Sequence, residues 1–234
     1  MKRTIINTGD LNLSQKNDMF ALMNHYYDNT RRTDFDRDLQ EKDWVLMLLE
    51  ESSLEVLGFS TQQVFMVNWK NQKVVVLFSG DTIIRREYWG SMGLIMAFGE
   101  LMLHVLDRYK EKEVYWMLLT KGLRTYKYLP TFFKTYYPMP DESTPPEIQD
   151  LINVLGYLRY PGSYVTETGI VKASKDGQYL KEAYHPKVRS TKATDAFFYK
   201  ANPGFAKGDE LLCVTRLHLD NLTTFIKRKL LNLK

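Results

Sequence analysis

The stretch from Asp81 to Gly93 (DTIIRREYWGSMG) has the residue types and spacing best suited to chemistry. An apolar run ends in it, a glycine-containing turn follows, and a long apolar segment opens from its end. That pattern predicts a strand, a turn and the start of a helix. A helix N-terminus exposes main-chain N–H groups that lack intrahelical acceptors and carries a partial positive charge, so an anion such as a phosphate can bind there without dedicated cations. Gly90 and Gly93 would let a ligand approach the backbone closely, and Tyr88, Trp89, Ser91 and Met92 complete the turn. Arg85 and Arg86 place fixed positive charge beside it, suited to a forked contact with a phosphate. The competing reading is a tight turn flanked by solvated arginines.

Other chemistry has no comparable signal. His25, His104, His185 and His218 are scattered without metal-ligand spacing, so no metal site is expected. His104 sits in an apolar segment and reads as a core histidine. Cys213, the only cysteine, lies in an apolar run and reads as a small core residue. Ser79-Gly80 does not complete a nucleophile elbow. Lys227, Arg228, Lys229 and Lys234 suit a solvated C-terminal face, or contact with a phosphate or an acidic carrier protein.

The chain has 234 residues, 44% of them hydrophobic and 26% charged, which excludes a disordered or collagen-like protein. A net charge of +4, spread along the chain, argues against a nucleic-acid-binding stripe and is compatible with an anionic small molecule. One cysteine cannot form an internal bridge, so a reducing compartment is expected. The first residues show no signal-peptide pattern, and no apolar run is long enough to span a membrane. A cytoplasmic location is the resulting expectation.

Periodicity places the elements around that turn. Met19, Leu22, Met23 and Tyr26 recur at helical spacing, giving a helix from about Ser14 to Asn29. A short helix is expected from Thr33, with Phe35 and Leu39 as its apolar stripe. Residues 44–49, 56–60, 63–67 and 73–78 then read as an antiparallel meander. Thr82 to Arg86 continues the last strand past a bulge at Ser79-Gly80. The long helix runs from Ser91 to Lys110, and its nearly all-round apolarity implies packing on more than one side. Val114 to Thr120, apolar throughout, reads as a parallel or central strand. After the connector from Pro138 to Pro146, a helix begins with Thr144 as cap and Pro145 at its first position, and stops at Gly156. Residues 159–193 give no assignment. Residues 196–200 and 211–217 read as two late strands, and a closing helix from Asp220 carries Leu222, Phe225, Ile226 and Leu230. The fold class is therefore α+β (mixed α/β), a central, mostly antiparallel sheet with flanking helices.

This order of elements, with a strand feeding a glycine-containing turn and a long helix, resembles the GCN5-related N-acetyltransferase (GNAT) superfamily. In that family the turn reads Gln/Arg-x-x-Gly-x-Gly/Ala. Arg86 to Gly93 is the corresponding region, either with Gly93 last and Ser91 and Tyr88 at the earlier positions, or with Gly90 in the middle. The resemblance covers about Leu13 to Pro138, and Val114 to Thr120 followed by the aromatic segment from Thr125 to Phe133 supports it. It implies residues 1–138 as a GNAT-like core and 139–234 as an extension completing the same unit or forming a second small one. The enlarged aromatic part after Pro138 is similar to members that use longer acyl groups or an acyl-carrier protein, as in the autoinducer-synthase-like branch.

The resemblance implies transfer of an acyl group from acyl-CoA or acyl-carrier protein to a small amine, an amino acid or a peptide side chain. A base must take a proton from the attacking ammonium and an acid must supply one to the leaving thiolate. Asp81 and then Glu50 are the candidate bases; for Asp81 a turn-capping role is the competing reading. Tyr126 and Tyr128 are candidate acids, with packing as the alternative. A different class is a non-catalytic ligand-sensing or protein-binding module on the same fold.

Overall fold

A computed structural model describes residues 1–185 and 193–231. In chain order the elements are β1 (Lys2–Asn7), α1 (Leu13–Tyr26), β2 (Tyr27–Asp28), α2 (Arg32–Gln40), β3 (Trp44–Leu49), β4 (Val56–Trp69), β5 (Gln72–Ile84), α3 (Gly93–Arg108), β6 (Val114–Thr120), α4 (Leu123–Tyr126), α5 (Tyr128–Phe132), α6 (Pro146–Arg159), β7 (Tyr164–Val165), β8 (Ile170–Val171), β9 (Tyr179–Leu180), α7 (Ala193–Ala201), β10 (Glu210–Arg216) and α8 (Thr224–Leu231).

Eight strands form one sheet in the order β1-β3-β4-β5-β6-β10-β8-β7, and β2 pairs with β9 separately. Every neighbouring pair in the large sheet is antiparallel except β5 and β6, which run parallel and are joined by a crossover through α3. The sequence explains why β6 is central. Val114, Trp116 and Leu118 are buried on one face and Tyr115, Met117 and Leu119 on the other, so neither face can be polar.

The helices cover both faces. On one, α3 packs its Leu94, Ala97, Leu101 and Val105 in a cluster with Leu46, Leu48, Val75 and Leu77 of the sheet and Ile226 and Leu230 of α8. The all-round apolarity of α3 follows from this position between sheet and α8. On the other face, Met19, Leu22 and Met23 of α1 pack with Met47, Phe59 and Ile83. Further along that face, Leu151, Ile152 and Leu155 of α6 pack with Met117, Leu212 and Val214.

Several elements differ from the sequence reading. The 56–60 and 63–67 runs are one strand, because the intervening Thr61 and Gln62 are buried in the sheet rather than turned to solvent. Lys2–Asn7 adds an edge strand that its charged start concealed. Residues 196–200 belong to helix α7, not a strand; Phe198 is buried and the following Asn202 N–H bonds back to its carbonyl at 2.8 Å. The 138–146 connector leads into α6 without the expected cap, since Pro145 stands at the N-cap and no side chain bonds to the helix start. Gly156 does not stop α6, which runs on to Arg159; a side chain there would meet the Tyr164 ring at 2.5 Å. His104 is exposed at the edge of α3 beside Trp44, not in the core, and Phe225 is exposed although it sits on the predicted apolar face of α8.

Replacing Gly156 with Ala should therefore force a rigid, buried ring aside. We expect a loss of about 2 kcal/mol, seen as a melting temperature lower by roughly 4–8 °C. An unchanged melting curve would show that Tyr164 moves freely.

Candidate functional site

The site begins with a break in strand pairing. β5 and β6 pair from Val75 opposite Val114 as far as Ser79 opposite Leu118, and there the pairing ends. β5 continues to Ile84 along β4, while Leu119 and Thr120 continue along β10. The two parallel strands part at this point. A bulge in β5 is the local cause: Gln62 of β4 faces Ser79 and Ser60 faces Thr82, so Gly80 and Asp81 together stand opposite Thr61. Such a bulge bends and twists its strand.

Side chains fix the bulge in place. Trp116 Nε1 donates to Ser79 Oγ (2.8 Å), Ser79 Oγ donates to Gln62 Oε1 (2.7 Å), Gln62 Nε2 donates to Ser60 Oγ (2.8 Å), and Ser60 and Thr82 hydroxyls share a bond of 2.7 Å. This is a connected polar chain across three strands, so shifting the register would strand buried polar groups. Glycine is required at position 80, where a Cβ would lie 2.7 Å from Thr61 Oγ1 and 3.0 Å from Lys42 Cε.

Asp81 sits half-buried at the point where the strands part. Burial, reinforced by the nearby negative charge of Asp38, raises its carboxyl to about 6, against the opposing pull of Lys121 and Lys42. Those lysines are already engaged, Lys42 with Asp38 at 2.6 Å and Lys121 with Glu210 at 3.7 Å. Glu50 is employed differently. Its carboxylate accepts from Ser52 N (2.6 Å), Ser52 Oγ (2.5 Å) and Ser53 N (2.8 Å) within the β3–β4 turn, and these bonds hold it at about 2. An acid that weak as a proton acceptor, tied into a turn, is not brought into the gap.

Beyond Ile84 the chain makes a 3-10 turn over Arg86–Tyr88 before entering α3. The amides of Arg86, Tyr88, Trp89 and Ser91 are consumed by Tyr26 Oη, Arg85 O, Arg86 O and Tyr88 O. The anion-binding capacity of the turn is thereby confined to the first turn of α3, which no side chain caps. Ser91 Oγ lies at that helix start, buried and without a hydrogen-bond partner among the described residues. Gly90 has φ +89°, a conformation that favours glycine, and open space around it. Gly93 serves packing: a Cβ would come within 2.5 Å of Leu48 Cδ1. Met92 and Tyr88 are half-buried against the α3 core.

The arginines divide. Arg85 is paired with Glu55. Arg86 is exposed, 5.7 Å from the Trp89 ring centre. Arg124, which the sequence reading passed over, stacks on the same ring at 3.1 Å. Its only sequence signal is its place four residues after β6, an apolar strand, and four before the start of α5. Of the tyrosines, Tyr126 is buried and its hydroxyl donates to Pro138 O at 2.8 Å, with its phenol pushed far up by burial. Tyr128 is half-buried, and burial raises its phenol to about 12. Among the described residues no group of three or more His, Cys, Asp or Glu is placed to hold a metal, and no helix is long and apolar enough to cross a membrane.

Because Asp81's carboxyl is held above its unfolded value, folding is favoured while it is protonated, and that contribution is lost as pH rises through about 6. Asp81→Asn should therefore melt higher than the parent at pH 8, by roughly 2–6 °C, with little difference at pH 4. A difference independent of pH would contradict the raised carboxyl.

No protein-family model matches the chain, and no curated protein matches it in sequence. Solved structures do resemble it in part. A GNAT family N-acetyltransferase (YhbS) from Escherichia coli, in complex with CoA, aligns over 51% of this chain and 63% of its own, at 11% identity and a TM-score of 0.38. A conserved protein from Enterococcus faecalis V583, described as a probable N-acyltransferase, aligns over 92% of this chain and 65% of its own, at 12% identity and a TM-score of 0.43. N-myristoyltransferase from Saccharomyces cerevisiae with bound myristoyl-CoA aligns over 51% and 29%, at 9% identity and a TM-score of 0.37. The chain thus spans less than two thirds of the length of each.

Proposed function

We propose that the protein is an N-acyltransferase of the GNAT type, using acyl-CoA as donor and an amine as acceptor. The observation that carries this reading is the parting of β5 and β6 at a bulge that presents Asp81. In this reading the gap runs from that carboxylate toward the start of α3, which no side chain caps. A thioester fits this layout end to end. Its diphosphate meets the first-turn amides of α3, with Arg86 beside them, and its extended arm lies along the unpaired edge of β5.

Asp81 takes a proton from the acceptor's ammonium, directly or through water, at a carboxyl tuned to about 6. The freed amine attacks the thioester carbonyl, a C–N bond forms and the C–S bond breaks. Tyr128 gives its proton to the leaving thiolate and recovers one from the cationic nitrogen of the tetrahedral adduct, which must lose its second proton for the amide to form. The role falls to Tyr128 because the Tyr126 hydroxyl already serves Pro138. Residues after Pro138 supply β7, β8 and β10 to the same sheet, which supports the reading that 139–234 completes one unit with 1–138. A donor chain longer than acetyl, or one delivered on an acyl-carrier protein, is the finer form of the proposal; it rests on that aromatic C-terminal part. Small amines, amino acids and peptides are the acceptor classes to compare, and the buried thiol of Cys213 suits a reducing, cytoplasmic setting.

Two measurements test this. CoA at about a hundred times its dissociation constant should stabilise the fold by about 2.7 kcal/mol, raising the melting temperature by roughly 5–10 °C, and Arg86→Ala should diminish that rise. With a productive amine, kcat/KM should climb as pH passes about 6, and Asp81→Asn should lower it by about 10²–10⁴-fold and abolish that limb. CoA binding without turnover of any amine would instead identify a ligand-sensing module.

A further inference from the structure

The mouth of the gap between β5 and β6 is crossed by two side chains, one from each strand's continuation. Arg85 N donates to Leu57 O at 2.9 Å, so the main chain of Arg85 faces β4. By the alternation of an antiparallel pair, the main chain of the preceding Ile84 faces the other way, into the gap. Ile84 O is not free there, because Trp89 Nε1 donates to it at 2.8 Å. Arg124, at the start of the segment that follows β6, lays its guanidinium 3.1 Å from the centre of the same indole. A β5-side ring and a β6-side cation thus meet across the opening.

The electrostatics of this contact are unbalanced. Neither Arg86 nor Arg124 has a carboxylate partner among the described residues, whereas Arg85 beside them does. Arg124 is exposed overall, but partial desolvation and the like charge of Arg86 both disfavour its charged form. Two guanidiniums held near one indole without a counter-ion are poised to leave it for an anion, and the uncapped start of α3 is the adjacent place for one.

We propose that Trp89 and Arg124 form a latch across the donor cleft, which the donor's own phosphates release by drawing Arg86 and Arg124 off the indole. This rests on the acyl-CoA reading above. In the latched state Trp89 occupies the main-chain acceptor that an extended thioester arm would use. The apparent affinity for CoA is then reduced by the fraction of molecules that are open. Weakening the latch raises that fraction without adding any contact to the ligand.

The test uses the full chain and two variants with CoA as the probe, measured by stopped-flow association. Trp89→Phe keeps an aromatic ring and removes the donor to Ile84 O; Arg124→Lys keeps the positive charge and removes the planar stack. Each should associate with CoA faster than the parent, by about 3–10-fold, the factor expected for removing one hydrogen bond or stack from the closed state. Either variant alone suffices if the other does not fold. Association at the parental rate or slower overturns the latch while leaving the donor reading intact. Failure of all three proteins, including the parent, to bind CoA overturns the donor reading and the latch with it.

Discussion

Two residues of β5 opposite one of β4 is the constraint on which the rest of this site depends. Were β5 in regular register past Ser79, it would keep pairing with β6, and the sheet would be closed where it is now forked. The extra residue turns Ile84 toward the opening and puts Asp81 at the branch point. Nothing in backbone preference alone holds such a bulge. The polar chain from Trp116 through Ser79, Gln62 and Ser60 to Thr82 does so, because each of its members would lose a partner in any other register.

The fork is electrically polarised along its length. At the branch point three carboxylates, Asp38, Asp81 and Glu210, stand against two lysines, Lys42 and Lys121. The lysines are paired with Asp38 and Glu210, and Asp81 is left as the odd negative charge. At the mouth the imbalance is reversed, with Arg86 and Arg124 lacking a carboxylate partner among the described residues, beside an uncapped helix start. Under the proposed function, this field would orient a donor with an anionic tail and draw a cationic amine from the other end. The setting that raises Asp81's carboxyl is what suits it to the proposed role of proton acceptor near neutrality, whereas Glu50 is held low by its serines.

What was readable from sequence follows from the physics of each signal. Val114 to Thr120, apolar on both faces, announced a parallel or central strand, because a strand with one solvated face would alternate with polar residues. The bulge was legible in Ser79-Gly80, since an interruption in an otherwise apolar strand needs a reason. Its supporting chain was not, because Ser60, Thr61 and Gln62 look the same in a loop as in a buried strand until their partners are known. Arg85 and Arg86 were indistinguishable by type; only the fold shows that Glu55 claims the first. Arg124 lies 38 residues beyond Arg86, so no local pattern could join them at Trp89. Residues 196–200, inside helix α7, read as a strand because Phe197, Phe198 and Tyr199 favour strands, and tertiary packing of Phe198 overrides that preference.

The account is tested most directly by hydrogen exchange of the full chain with and without CoA. It predicts slowed exchange at the amides of Thr82 to Ile84, along the open edge of β5, and of Gly93 to Ile95, at the start of α3, with the outer strands β1 and β7 unaffected. Protection that instead falls on those outer strands, or none in either segment at saturating CoA, would contradict a donor seated in the fork.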